Sequence, residues 1–556
     1  MSFSIVESYF NGTHGLSTAD WAHTLEIPAH IYEGLKGYRY PTMLAIIFVA
    51  YFILRPLYHY GLDKGNLRRF PGLNCFAHIS NLPFMIAAHK GHRSLDLVEM
   101  HKKYPVIRTG PNAVSFSSPK AIKDIYGHNT RALKDGQYRV TAGSHYHLAD
   151  VIDRAEHARK RKVLSSAYAL KNLEDWEFKV ADKTARLIKQ FDARCTAPLP
   201  ADQSVPDKAD LTIDYRAWTN FFTLDAIADI GLSEHLGFLD AGTDACLARR
   251  RDGTTWPVNY RDCLYQTARK QALLVWSYAW YPLLDKLSNA LPFYARMSAF
   301  ARGWDGIVLQ RAHVRLARYA AGERLDDFFQ ALMEDRHGVP RNLEWGEVVA
   351  EVSIMMNAGS ATTAIAMANV LHQLLKPGHA AVLRRLREEI DAALGEDDVV
   401  APYGKVKHLP YLRAVLDESL RLWPPTSHGL PRETPAEGMV VAGHAIGGGV
   451  TVSQSALIAH RNEEIFPDAD KFIPERFLGD AGKALQPYFI SFSAGARGCI
   501  GRNITYLEQI VLLASVLHRY EFALERPDWE IERLETFNLL LGEMPLKVWR
   551  RQRRDE

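Results

Sequence analysis

The chain has 556 residues, 47% of them hydrophobic and 24% charged, the proportions of an ordinary folded protein. Its 67 Lys+Arg against 64 Asp+Glu leave a net charge of +3, too even to make nucleic acid the main partner. A mean hydropathy of −0.18 excludes a polytopic membrane protein but not a single anchor. Five widely spaced cysteines (Cys75, Cys195, Cys246, Cys263, Cys499), with no CxxC pair, argue against a disulfide scaffold or a zinc finger. The odd count raises the question of whether one of them does chemistry.

In chain order, Met1 to Tyr40 is polar and mixed in charge, with no apolar core of a secretory signal. Residues 1–37 are expected to form a luminal segment, with Asn11 in the glycosylation sequon Asn11-Gly12-Thr13. An uncharged run from Pro41 to Leu54 follows, flanked by Tyr38, Tyr40, Tyr51, Tyr58 and Tyr60, with Arg39 and Arg55 placed to snorkel. It predicts a membrane anchor helix over 38–60; the alternative is a buried core helix. Arg55, Lys64, Arg68 and Arg69 after the run outnumber Lys36 and Arg39 before it, which would hold the large C-terminal part in the cytosol. Residues 61–72, ending in Arg69-Phe-Pro-Gly72, read as a hinge, and 73–556 as one globule without linker or repeat.

Within the globule, periodicity predicts helices over Glu156–Leu170, Leu343–Lys376 (stopped by Pro377-Gly378) and His379–Leu394 (stopped by Gly395). Strand-like material is short: Val106–Thr109, and Met439–Ile446 before three glycines. Many helices with a minor sheet region suit one large, mainly α domain.

The stretch Phe492-Ser-Ala-Gly495-Ala-Arg497-Gly498-Cys499-Ile-Gly501 carries three glycines in ten residues, which let backbone pass close to something flat or bulky. A helix is predicted from Ile500 onward, so Cys499 sits at its N-terminus, where free N–H groups favour a thiolate. The pattern F-x-x-G-x-R-x-C-x-G resembles the heme-ligand loop of the cytochrome P-450 family. The resemblance implies a single fold with heme b between a long central helix and this loop, Cys499 as axial iron ligand, and Phe492, Gly495, Arg497 and Gly501 around it. Glu418-Ser-Leu-Arg421 resembles the family's E-x-x-R, and Pro474-Glu475-Arg476-Phe477 its next motif, in the right order. Glu418, Arg421 and Arg476 would then form a buried charge triad.

Two more stretches are similar to propionate-binding segments. In Glu156-His157-Ala-Arg-Lys-Arg161, His157 stands where the family has tryptophan, and His157 and Arg161 share a helix face. Gly429-Leu-Pro-Arg432 offers Arg432 to the other propionate. On the oxygen side, Ala358-Gly359-Ser-Ala361-Thr362-Thr363 resembles the family's oxygen-binding helix, with Ala358, Gly359, Thr362 and Thr363 at matching positions. Thr362 would hydrogen-bond oxygen and its waters. Ala361 departs from the pattern, standing where an acid is expected to help relay protons.

The resemblance is to microsomal-type, filamentous-fungal members. It implies a monooxygenase at the endoplasmic reticulum membrane that oxidises a lipophilic small molecule with O2, in secondary-metabolite biosynthesis. Ser427, His428, Gly429 and Leu430 are candidate substrate-lining residues, with Gly143–His147 beside them. Trp256, Tyr260, Tyr265, Trp276, Tyr278, Trp280 and Tyr281 lie in the region over the expected substrate channel. No GxGxxG opens a strand–helix unit, so electrons would come from NADPH through a separate reductase. The alternatives are a heme-thiolate isomerase or dehydratase that needs no NADPH, a hydroxylase of aromatic acids or xenobiotics, and a non-catalytic heme sensor.

Overall fold

The computed structural model describes residues 45–46, 49–165, 167–168 and 174–552. The sequon at Asn11, segment 1–37 and part of the apolar run (41–44 and 47–48) lie outside them. Ten helices build and frame the site: α1 (Arg55–Leu62), α2 (Leu82–Lys90), α3 (Arg154–Ser165), α4 (Tyr215–Leu232), α5 (Tyr260–Leu274), α6 (Pro292–Ala320), α7 (Trp345–Leu375), α8 (Ala380–Ala393), α9 (Pro410–Leu422) and α10 (Arg502–Arg519).

The centre is α7, which packs on α4, α6, α9 and α10. Its second half is buried on every face, from Thr363 through Leu374, as suits a helix surrounded by others. By length and composition α7 would pass for a membrane span, but 56% of its most apolar window is buried inside the protein, which makes it the core helix. It ends where Lys376 turns extended ahead of Pro377, whose ring disfavours the helical conformation of the residue before it. α4 is likewise buried almost throughout and lies along α7.

The main sheet has five short strands: β1 (Val106–Gly110), β2 (Ala113–Phe116), β3 (Leu133–Lys134), β4 (Arg432–Glu433) and β5 (Thr451–Ser453), in the order β1-β2-β5-β4-β3. Its register matters for the site. Val452 pairs with Arg432 across β5 and β4, and Arg432 pairs in turn with Lys134 on β3. Two cations therefore stand directly opposite each other on neighbouring strands, an arrangement that repels unless something negative lies between them.

The expected helices over 343–376 and 379–394 are present within two residues at each end. The stretch Met439–Ile446, read as one strand, is a hairpin. Ala442 and Gly443, at φ 48° and 82°, turn the chain between Met439–Val441 and His444–Ile446, and Asp124 Oδ2 accepts the Ala442 N–H. The helix after Cys499 begins at Arg502, not Ile500, because Ile500 and Gly501 complete the turn out of the cysteine loop. Of the expected anchor over 38–60, the described residues from Val49 onward are helical, with Ile53, Leu54, Leu57 and Tyr58 exposed.

Candidate active site

The cysteine loop owes its shape to two left-handed residues, Ser493 and Gly495. Gly495 packs so closely on the Tyr126 carbonyl that a side chain there would collide with it. The Cys499 N–H donates to Phe492 O at 2.9 Å, and the Gly498 N–H to Gly495 O at 3.0 Å, which closes the loop. Cys499 is exposed, yet its surface opens inward, onto a cavity of about 1960 Å³. That is larger than the roughly 300–1,000 Å³ of a small-molecule pocket, with room for a prosthetic group and a substrate together. Burial pushes the Cys499 thiol up, while the N–H groups of Gly501 and Arg502 and the charges of Arg161 and Arg502 oppose it. The sequence reading expects a helix-favoured thiolate; these N–H groups pull in that direction, but burial outweighs them. Phe492 lines the cavity and packs on Tyr506, centroids 5.3 Å apart, with the Arg502 guanidinium over its ring.

Three arginines and a neutral histidine gather along one wall. Arg432, Arg497, Arg161 and His157 all line the cavity. Arg497 donates to the carbonyls of Val151 (2.6 Å) and Ile152 (2.9 Å), Arg161 to Gly498 O (2.8 Å) and Arg432 to Pro431 O (3.0 Å). Among the described residues, none of these three arginines has a carboxylate within ion-pair distance. Burial and the adjacent Arg432 pull Arg497 down to about 10. Burial, then Arg497, Lys134, Arg161 and Arg432, pull His157 down to about 4. Such an accumulation of uncompensated positive charge fits a dianionic ligand above a cysteine, as the two propionates of heme require.

The sequence reading missed Lys134 and Tyr138 on the same wall. Lys134 is 9% exposed, bonds the Ala149 carbonyl, and is drawn well below its usual range by burial and by Arg432 and Arg497. Its signal was not local: a lysine in a two-residue strand becomes a site residue only through the register that sets it opposite Arg432.

The opposite wall is α7. Ala358, Gly359, Ala361 and Thr362 line the cavity, and Thr362 Oγ1 donates to Ala358 O at 2.8 Å, one turn back. At Gly359 a side chain would collide with Ile227, so the glycine lets α4 close on α7. Thr363 lies elsewhere. It is buried outside the cavity, with its Oγ1 3.1 Å from Thr505 Oγ1 on α10, so the two threonines face different ways. Of the substrate-lining candidates, His428 and Leu430 line the cavity. Ser427 instead donates to Pro424 O at 2.8 Å, and Gly429 packs against Ser453; neither reaches the cavity. Gly143, Ser144, His145 and His147 also line it, as do Trp256, Tyr265 and Tyr281.

Glu418, Arg421 and Arg476 meet as a buried cluster. Arg421 grips Glu418 with two bonds of 2.7 and 2.8 Å, and Arg476 Nε reaches the same carboxylate at 3.2 Å. Arg421 spends its remaining donors on the carbonyls of His460, Ala469 and Lys471, so the pair tolerates complete burial.

The family model for cytochrome P450 matches residues 71–549, nearly the whole described globule. The chain belongs to the cytochrome P450 family. It is 30% identical over 501 residues to the benzoate 4-monooxygenase bphA of Aspergillus niger, covering 88% of this chain and 93% of that one. It is also 30% identical over 483 residues to the cytochrome P450 monooxygenase atr2 of Stereocaulon alpinum (85% and 88% covered). With the cytochrome P450 monooxygenase astJ of Aspergillus oryzae the identity is 28% over 507 residues (86% and 91% covered). As a P450 the protein is a monooxygenase, and the family's heme iron is the group that the cysteine and the cation wall fit.

Proposed function

We propose that this P450 hydroxylates or otherwise oxidises a lipophilic small molecule with O2, taking electrons from a separate NADPH-dependent reductase at the endoplasmic reticulum membrane. The observation that carries the reading is one large cavity lined by Cys499, with unpaired arginines along one wall and the Thr362 turn of α7 on the other. Cys499 would ligate the iron of heme b; Arg432, Arg497, Arg161, His157 and Lys134 would hold its propionates. When bound, that group supplies an iron centre that activates O2, made electron-rich by the thiolate. The protein's own residues do the rest. Thr362, whose proton goes to Ala358 O, presents a hydroxyl oxygen that would accept a hydrogen bond from water, and Ala361 leaves that path without a carboxylate. The fungal relatives named as P450 monooxygenases support the oxidation itself, and the benzoate 4-monooxygenase relative keeps an aromatic substrate in view.

Residues 38–60 are proposed as the anchor, 61–72 as the hinge and 73–556 as the catalytic domain. The exposed apolar side chains Leu82, Ile86, Leu283, Leu287, Leu291 and Phe293 support membrane contact by the globule as well. They flank the place where Tyr51 meets Trp280 edge-on, at 4.8 Å between centroids.

The deciding experiment is the spectrum of the reduced protein with carbon monoxide. A thiolate-type band that Cys499→Ser abolishes is expected, along with NADPH oxidation only when reductase is added. A wild-type protein without that band overturns the reading.

A further inference from the structure

Beside the main cavity lies a second, much smaller one of about 30 Å³, lined by Arg93, Trp276, His428 and Phe537 among others. Tyr138, Thr141, Gln271, His428, Thr536 and Phe537 border both, so the small space is a notch off the large one. Its volume suits one oxygen atom and its hydrogen, or one water.

Three buried polar atoms at this notch have no hydrogen-bond partner among the described residues: Arg93 Nη1, Trp276 Nε1 and His428 Nδ1. Arg93 is 2% exposed and His428 5%. Leaving such groups unpaired is costly, so three of them on residues that line one small space point to a missing partner. The surroundings hold all three firmly. Arg93 Nε donates to Glu535 Oε1 at 2.5 Å and its Nη2 to Thr536 O at 2.6 Å. The Trp276 ring lies under the Arg93 guanidinium at 5.0 Å and against Phe84 at 4.6 Å. His428 is wedged edge-on between Trp276 (6.4 Å) and Phe537 (5.0 Å).

Charge and polarity narrow the ligand. Glu535, itself buried, neutralises Arg93, so the notch has donors but no net charge. Burial and the neighbouring Arg93 keep His428 neutral, so one ring nitrogen carries no proton and accepts, and Nδ1 is the buried one without a partner. Two donors and one acceptor around a space of one oxygen are the complement of a hydroxyl. A carboxylate would set its lone pairs against that of Nδ1, with no free positive charge in return.

We infer that the notch formed by Arg93, Trp276 and His428 is a substrate-anchoring site that receives a hydroxyl group, alcoholic or phenolic, of the lipophile held in the main cavity. This rests on the monooxygenase reading and narrows its substrate class. It also explains how a large, mostly apolar cavity presents one carbon of its substrate to the oxidising centre: a single polar tether removes the freedom to tumble.

The test uses the heme-loaded full chain and three probes of one shape: 4-butylphenol, butylbenzene and 4-butylbenzoate. Calorimetry measures binding without relying on a heme band, and the carbon monoxide spectrum of the same samples reports the heme reading separately. The unmodified protein is expected to bind the phenol more tightly than the hydrocarbon. Trp276→Phe, which keeps a ring against Phe84 and Arg93, should cut that preference about tenfold, the loss of one buried hydrogen bond. His428→Phe should do the same, while butylbenzene affinity stays within about twofold in both variants. Comparing ratios between proteins cancels the probes' different solubilities. Any of four results overturns the inference: no binding of the phenol, no preference in the unmodified protein (a notch that keeps its water), an equal loss for phenol and hydrocarbon in the variants, or tighter binding of the benzoate.

Discussion

Glu508, on α10, is fully buried, and neither carboxyl oxygen has a well-formed hydrogen bond among the described residues. Burial pushes its carboxyl well above the usual 4.5, against a smaller opposing pull from the Thr363 hydroxyl. The folded protein therefore holds a proton that the unfolded chain releases above about pH 4.5, so stability falls as pH rises beyond that point, by about 1.4 kcal/mol per unit while the difference persists. Glu508→Gln removes this dependence. Its melting temperature is expected to match the wild type near pH 5 and to exceed it increasingly towards pH 8, as differential scanning calorimetry would show; parallel curves would mean the carboxyl is ionised in the fold. A second residue-scale expectation concerns Ala361, which lines the cavity one residue before Thr362. Ala361→Asp supplies the missing acid and should raise product formed relative to hydrogen peroxide per electron consumed. General acids contribute about 10²–10⁴-fold where they act, so an unchanged ratio would place the proton path elsewhere.

At the scale of elements, the register of β3 on β4 is the feature with consequences. Lys134 and Arg432 face each other across the strands, Arg497 adds to the same field, and Asp150 offsets the charge of Lys134 only in part. The fold thus stores repulsion that a dianionic ligand relieves. Lys134→Met is expected to stabilise the heme-free protein by about 0.5–1 kcal/mol, the scale of one cross-strand like-charge pair. The same change should speed heme transfer to an acceptor protein several-fold. Raising the salt concentration should stabilise the heme-free form more than the loaded one, because screening acts on charges that have no other partner. A variant that loses stability in both forms would assign Lys134 a purely structural role through its bond to the Ala149 carbonyl.

Across the whole molecule, one side gathers α2, the segment 275–294 and the chain leading out of α1, and that side carries the exposed leucines. The same region supplies Trp276 to the notch and Tyr281 to the main cavity, which puts the apolar surface next to the route by which a lipophile enters. A chain lacking residues 1–60 is expected to keep its carbon monoxide spectrum and still partition onto vesicles of neutral lipid. Replacing Leu283, Leu287 and Leu291 together by glutamate should abolish that residual binding in a flotation assay and leave the spectrum unchanged. Retained flotation would leave the apolar patch without a membrane role.

The cysteine loop, the Glu418–Arg421 pair, the Gly359–Thr362 stretch and the long helices were legible in the amino-acid sequence because each is local. Their residues lie within one loop or one helical turn, where spacing alone fixes what faces what. Lys134 and Tyr138 were not, nor were the opposite outlooks of Thr362 and Thr363 and the exclusion of Ser427 and Gly429 from the cavity. Each depends on strand register or on which neighbour a helix packs against. The notch is the extreme case. Arg93, Trp276 and His428 are separated by well over a hundred residues at each step, and only the packing of the helix Arg93–His101, the turn Val275–Trp280 after α5 and the strand entry after α9 brings them to one space. Sequence alone determined the family and the class of reaction, because the cysteine loop that marks them is a local device. What the substrate must offer was decided by tertiary structure, because a binding site is the sum of side chains whose sequence distance carries no information about their meeting.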